Sequence, residues 1–403
     1  MTRSLPEDPL IRRLVEQARS AHVSRRSVLQ GAGIGAAALG LAACSTPGAT
    51  NKPSAAKDIS ATDKIVRWDN WALYLDVDDA GKYPTLEAFA RQTGINPTYT
   101  EAVDDNNTYY GKVKDQLKLG QDIGCDTVCL TDWMVGRLIR FGYTQELDRA
   151  AMPNLKNLVP NLANVDFDPG RKMSVPWQGG FAGLAWNKDK LPGGLKSVSD
   201  LWDPSLKGRV GVLSEMRDTV GCIMQDMGVA IDGKWGDPEY GAAIDVLQKH
   251  VTDGQIRNIK GNSYKEDLQN GDTLAAIVWS GDITQMNATA GDHWDFAIPD
   301  KGGTLWNDNF IIPIGSKHKK NAEALINYYY DPEIAAQVAA YVNYIPPVAG
   351  TKEAMMALDP TLADNQLIFP SQETLANAHV FRTLSGSEEQ KYGSQFQAVL
   401  LGA

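Results

Sequence analysis

The 403-residue chain carries 49 acidic against 39 basic residues, a net charge of −10 at neutral pH, with 43% hydrophobic and 22% charged residues. An acidic balance of this kind argues against a nucleic-acid partner and against adhesion to anionic membrane surfaces, and it favours cationic ligands. The length exceeds what one ordinary hydrophobic core serves, so two lobes are expected.

The N-terminal 1–43 reads as a targeting segment and not as part of the fold. Arg12, Arg13, Arg19, Arg25 and Arg26 make its start basic, and Gly31 to Ala43 is an uncharged run of small and apolar residues, too short to cross a ~30 Å hydrocarbon layer as a resident helix. Ser24-Arg25-Arg26-Ser27-Val28-Leu29 resembles the twin-arginine export motif, and Leu41-Ala42-Ala43-Cys44 resembles a lipobox. Those resemblances imply cleavage before Cys44, lipidation of its thiol and tethering at the outer face of the cell membrane. Gly31-Ala32-Gly33-Ile34-Gly35-Ala36 imitates a nucleotide-binding loop, but a twin arginine and not a strand precedes it. Residues 44–61, rich in Ser, Thr, Pro, Ala and Lys, read as a flexible tether. Removing the leader takes away six arginines and three acids, leaving 33 basic against 46 acidic residues, a net of −13.

Beyond Cys44 only Cys125, Cys129 and Cys222 remain. Cys125 and Cys129 stand four apart in an extended segment, about 13 Å at the usual strand rise, beyond disulfide reach of each other. They read as small core residues, with a pairing of one of them to Cys222 left open. His250, His293, His318 and His379 are scattered without ligand spacing, so no metal and no cofactor is expected.

In chain order, Ile65 to Trp68 reads as a strand. A helix begins at Pro84, carries Leu86, Phe89 and Ala90 on one face, and closes at Gly94. Ile95 to Thr100 is extended, a helix runs from about Thr108 to Gly120, Cys125 to Leu130 is an apolar strand, and Thr131-Asp132-Trp133 opens a helix ending at Gly142. Strands alternating with single helices predict a largely parallel sheet covered on both faces. Met152 to Pro176 reads as loop. A second alternating set follows: strand Val210 to Leu213, helix Asp218 to Gly228, helix Pro238 to Val251 and strand Leu274 to Trp279. Trp306 to Ile314 is extended, helices span about Ala322 to Tyr330 and Pro332 to Val342, and Ser387-Glu388-Glu389-Gln390 reads as the capping box of a C-terminal helix.

The chemistry concentrates in Gly303-Thr304-Leu305-Trp306-Asn307-Asp308-Asn309. In an extended chain Trp306 and Asp308 share a face, pairing an indole, worth ~0.5 to 2 kcal/mol to an ammonium, with a carboxylate able to make charge-assisted hydrogen bonds of ~1.5 to 3 kcal/mol. On the residues alone a strand end with a core Trp and a solvated Asp is the plainer reading. Glu215 and Asp218, at a helix start, could simply complement the helix dipole, and Trp71, Trp279 and Trp306 could be core aromatics.

The set Asn70-Trp71 with Tyr74, Ser214-Glu215-Met216-Arg217-Asp218, Trp279-Ser280-Gly281-Asp282, Trp306-Asn307-Asp308 and Tyr344-Ile345-Pro346 resembles the polyamine-binding (spermidine/putrescine) lipoproteins of ABC importers. These belong to the two-lobed extracellular solute-binding proteins. The resemblance runs from Ile65 to the C-terminus. It implies an α/β, periplasmic-binding-protein-like (type II) fold with a hinge and an interlobe cleft, lobe 1 from 62–181 plus 308–352 and lobe 2 from 182–307 plus 353–403. It also implies that Trp71, Tyr74, Thr131 and Trp133 line the first-lobe side, and that Glu215 and Asp218 are second-lobe carboxylates. Trp279 would pack on methylenes, Asp282 would be an acid of putrescine-type members, Asp308 with Trp306 would meet a ligand amine, and Tyr344 would complete the set. Ala72 departs from the family's usual hydroxyl, and Phe381 falls near its C-terminal polar contact. The implied role is a monomer that captures spermidine or putrescine and delivers it to an ABC permease.

These residue types suit a polyamine. Desolvating each ammonium costs several kcal/mol, so each must meet a carboxylate, while aromatics cover the methylenes at ~0.8 kcal/mol per buried CH₂. Glu215, Asp218, Asp282 and Asp308 suffice for a dication or a trication; their number favours spermidine, whereas Asp282 favours the shorter putrescine. Another solute, such as an oligosaccharide or a basic amino acid, is the nearest rival. A secreted glycoside hydrolase using Glu215 and Asp218 is the enzyme alternative, although the chain has no Gly-x-Ser-x-Gly elbow and no His-Glu-x-x-His.

Overall fold

Two long antiparallel strands tie the architecture together. The computed structural model describes residues 52–402; the leader, Cys44 and the first part of the tether lie outside the described residues. The strands are β1 (Ile65–Trp71), β2 (Asn96–Val103), β3 (Thr127–Thr131), β4 (Ser174–Asn187), β5 (Val210–Leu213), β6 (Ile256–Lys260), β7 (Ala275–Trp279), β8 (Trp294–Ala297), β9 (Gly303–Ile311) and β10 (Ala378–His379). They form a 10-stranded sheet in the order β2-β1-β3-β9-β4-β7-β5-β6, with β10 on β9 and β8 on β4.

The sheet is mixed, where the alternation of elements predicts a largely parallel one. β1 pairs in parallel with β2 and β3, and β5 in parallel with β6 and β7, as helical crossovers require. β9 runs antiparallel to β3 and β4, and β4 antiparallel to β7. β4 escapes a sequence reading because Pro176, Gly179, Gly180 and Gly183 punctuate it, yet every residue from Ser174 to Trp186 is buried.

Two large apolar clusters flank this strand pair. The first gathers residues from Val66 to Trp177 and from Phe310 to Val348; the second gathers Ala182 to Trp294 and Phe381 to Val399. The chain passes between them along β4, along β9 and again between Val348 and Phe381. Trp279 and Trp306 pack against both clusters.

Local signals explain most boundaries. The helix Pro84–Thr93 starts at its proline and stops at Gly94, whose φ of 70° lies in the left-handed region that glycine enters freely. The helix Asn106–Lys118 begins two residues earlier than expected because the Asp105 carboxylate accepts from Thr108 N, 2.9 Å. The C-terminal helix, Gly386–Leu401, is capped by Ser385 with Glu388, two residues before the expected Ser387. β6, β8 and the helices Tyr264–Gln269 and Ser280–Ala290 lacked a readable period. The tether is shorter than expected, since Ala56 N donates to Ile314 O (3.0 Å), Ile59 N to Lys317 O (2.8 Å), and Ser60 is buried. Cys125, Cys129 and Cys222 are all buried and free, so no bridge to Cys222 forms.

Trp68 is the centre of the first core. It is fully buried, with the rings of Tyr99, Trp177, Phe310 and Tyr329 at 5.0, 5.2, 5.2 and 5.4 Å. Trp68→Ala should therefore cost ~3–5 kcal/mol of unfolding free energy in chemical denaturation. A loss below ~1 kcal/mol would mean that this cluster does not hold the lobe together.

Candidate functional site

In an open α/β sheet, residues just past the carboxyl ends of strands converge on one crevice. Trp71 ends β1, Thr131 ends β3, Glu215 and Asp218 follow β5, and Trp279 ends β7 with Asp282 in the next helical turn. With Tyr74, Trp306, Asp308 and Tyr344 they line a partly open cavity with about 400 Å³ of unfilled space, open solvent included, joined by Ala72 and Asn262. Ten of the eleven ligand residues expected from sequence thus meet around one space.

The two cores close over it. Ser214 Oγ donates to Asp105 Oδ2 at 2.8 Å, Asn262 N to Asp104 O at 3.1 Å, and Gln285 Nε2 to Leu73 O at 3.2 Å. The approach is so tight that a Cβ on Gly261 would lie 2.3 Å from Asp104 O. Glycine also makes room for the aromatic wall: a Cβ on Gly180 would meet Trp306 at 2.6 Å and Tyr344 at 2.8 Å.

The walls are a chain of edge-to-face rings, Trp71 to Trp279 (5.9 Å), Trp279 to Trp306 (6.4 Å), Trp306 to Tyr344 (5.3 Å) and Tyr344 to Tyr74 (5.3 Å). Between them stand the acids. Asp308 Oδ1 accepts from Thr131 Oγ1 at 2.7 Å, Thr131 Oγ1 accepts from Asn106 Nδ2 at 2.9 Å, and the same amide donates to Glu215 Oε2 at 3.2 Å. Asp218 accepts from Trp279 Nε1 at 2.8 Å and from Thr304 Oγ1 at 2.5 Å. Asp282 accepts from Tyr264 at 2.8 Å and Tyr344 at 3.0 Å. The Tyr74 hydroxyl and the Trp71 and Trp306 indole N–H groups have no hydrogen-bond partner among the described residues.

Trp133 departs from the expectation. It lies outside this cavity, on a wider opening of about 1580 Å³ that shares Thr131, Glu215, Asp218 and Trp306 with it. The reason is cationic: Arg217 and Arg137 stack over its ring at 4.1 and 4.8 Å, and Arg137 Nε bonds Glu389 Oε1 at 2.6 Å. Asn106, Arg217, Asn262, Tyr264, Lys265 and Thr304 belong to the site and were not singled out from sequence. Asn106, Asn262, Tyr264, Lys265 and Thr304 act through contacts distant in the chain, for which the sequence offers no spacing signal, while Arg217 meets Glu215 two positions away but reaches Trp133 only through the fold.

Burial pushes Asp308 up to about 7, against the opposing Thr131 hydrogen bond, and Glu215 up to about 8, against the attraction of Arg217. Burial also raises Asp218 despite its two donors. Desolvation lowers Arg217 to about 10, which leaves it charged at neutral pH.

A model for bacterial extracellular solute-binding proteins matches residues 85–369. The chain belongs to that family. Among relatives of this solute-binding protein, the spermidine/putrescine-binding periplasmic protein of Escherichia coli K12 is 29% identical over 321 residues, covering 79% of this chain and 88% of its own. A solved spermidine/putrescine ABC transporter substrate-binding protein from Streptococcus pneumoniae superposes with a TM-score of 0.67 at 24% identity, over 84% of this chain and 99% of its own. A binding protein of A. tumefaciens R10 in complex with agropinic acid gives 0.68 at 19%, over 84% and 98%. The fold is therefore that of the periplasmic binding proteins, and these relatives are transport components, not enzymes. Similar folds thus accompany different solutes.

A carboxyl whose folded value is raised contributes stability that is present below its unfolded value and lost as pH rises through the folded one. Ligand-free protein should lose stability between pH 5 and pH 8 as Asp308 and Glu215 give up protons. Asp308→Asn should be the more stable protein at pH 8 by ~2 °C or more in melting temperature, with the gap shrinking at pH 5. A gap independent of pH would show that Asp308 does not titrate in this range.

Proposed function

We propose that this solute-binding protein captures a polyamine in the cavity between its two cores and delivers it to the permease of an ABC importer. The observation that carries the reading is the burial of Asp218 and Asp308 in an aromatic-walled cavity without a cationic side chain within 4.0 Å of either, among the described residues. Buried carboxylates without counter-charge are costly, and a dissolved organic cation would offset that cost. The indole and phenol faces would cover its methylenes and add cation–π attraction. A neutral oligosaccharide would leave the carboxylates uncompensated, and the carboxylate of an amino acid would meet like charge.

The lobes are taken as 62–181 plus 308–352 and 182–307 plus 353–403, turning about β4, β9 and the third passage near residue 352. In the open form the acids are hydrated; a cation contacting both lobes favours the closed form through its differential affinity. Export through the twin-arginine leader and a lipid on Cys44 would hold the monomer beside its permease, within reach of solutes outside the cell membrane. The E. coli relative's spermidine/putrescine designation supports this ligand class.

Calorimetric titration with spermidine, putrescine, cadaverine, maltose and lysine tests the reading. One polyamine should bind at micromolar concentration or tighter, and Asp308→Asn should weaken it at least about 100-fold, or ~2.7 kcal/mol. Binding of maltose or lysine with no heat from any polyamine would refute the polyamine assignment while leaving the transport role. Cleavage of an oligosaccharide would point to the hydrolase instead.

A further inference from the structure

Four acids reach the cavity, but two of them already face a cation of the protein. Arg217 Nη1 lies 3.8 Å from Glu215 Oε1, the side chains 12% and 8% exposed. Lys265 Nζ lies 3.3 Å from Asp282 Oδ1, the side chains 12% and 5% exposed. The Lys265 ammonium is buried without an aligned hydrogen bond, so its relation to Asp282 is one of charge alone, while Tyr264 and Tyr344 donate to the two carboxylate oxygens. That leaves Asp218 and Asp308, whose partners are the neutral donors Trp279, Thr304 and Thr131.

The placement of the two cations matters as much as their number. Arg217 stands on the wide opening that shares Glu215 and Asp218 with the cavity. Lys265 stands on another, of about 1250 Å³, that shares Ala72, Asn262 and Asp282 with it. A ligand long enough to leave the cavity at either opening carries its next ammonium toward a positive side chain, and like charges meeting without water between them repel strongly.

We propose that Lys265 and Arg217 make this a site for a short dication, an α,ω-diamine whose ammonium groups meet Asp218 and Asp308, and that they exclude the triamine. This rests on the polyamine reading above and corrects the count of four free acids that favoured spermidine. Lys265 acts as a tethered ammonium: it neutralises Asp282 and opposes a third charge from the ligand. Arg217, 3.8 Å from Glu215, likewise opposes a further charge from the ligand, with its guanidinium held against Trp133.

The test compares putrescine with spermidine by calorimetry on wild-type protein, Lys265→Met, Lys265→Gln and the charge-balanced Lys265→Met/Asp282→Asn. Wild type should favour putrescine at least about tenfold. Either Lys265 variant, folded by circular dichroism, should shift the preference toward spermidine by about tenfold or more, because a like charge is removed and Asp282 is freed. The double variant should return toward the wild-type preference, which a merely structural role for Lys265 would not produce. Spermidine preferred by wild type, or an unchanged ratio in both folded single variants, overturns the proposal and leaves the polyamine reading intact. Failure of wild type to bind either amine removes both.

Discussion

The arrangement depends on carboxylates held out of water without sufficient positive charge of their own. Asp308 and Asp218 are buried among indole and phenol rings, and what they receive from the protein is hydrogen bonds from hydroxyl and indole donors. Such donors orient a carboxylate but do not remove the cost of dehydrating its charge, which is why burial raises both groups. A cavity of this kind is poorly satisfied when closed and empty. On the proposed function, adding a cation is also what would make closure favourable, so that recognition and movement would follow from one electrostatic cause.

The fold supplies the geometry at low cost. Parallel strand–helix units deliver Thr131, Glu215, Asp218 and Asp282 to strand ends and first helical turns, where the positive ends of helix dipoles temper the repulsion among buried acids. The dipole-complementing role and the ligand role of Glu215 and Asp218 are thus compatible. β9 adds what the parallel units cannot, a strand running between the two cores with Trp306 and Asp308 on its cavity side. Trp306 touches both cores, and the absence of a side chain at Gly180 lets it approach Tyr344.

Residues with a local signature were legible in the sequence: Pro84 and Gly94 bounding a helix, Trp306 and Asp308 sharing a face, Glu215 and Asp218 at a helix start. The resemblance carried by the Trp, Asp and Tyr motifs brought together ten of the twelve residues that line the cavity. What escaped was set by tertiary partners. β4 hid behind its proline and glycines: a strand buried on both faces shows no alternation, and Gly180 and Gly183 leave room for Trp306, Tyr344 and Phe296. Trp133 was assigned to the wall because nothing local indicates that two arginines, one of them 84 positions away, clasp its ring. Lys265 belongs to a six-residue helix too short to show a period, and its charge counts only because Asp282 stands beside it.

The most direct test is the proton balance of binding. Calorimetric titration of putrescine at pH 6.5, in buffers of widely different ionisation enthalpy, reports how many protons leave as the ligand enters. If the buried carboxyls bind protons in the empty cavity and meet ammonium groups in the filled one, the observed heat will vary linearly with buffer ionisation enthalpy. The slope will correspond to net proton release, and the affinity will rise from pH 6 to pH 8. Heat independent of buffer, with an affinity flat across that range, would mean that the acids are already ionised without ligand and that their burial is not what drives recognition.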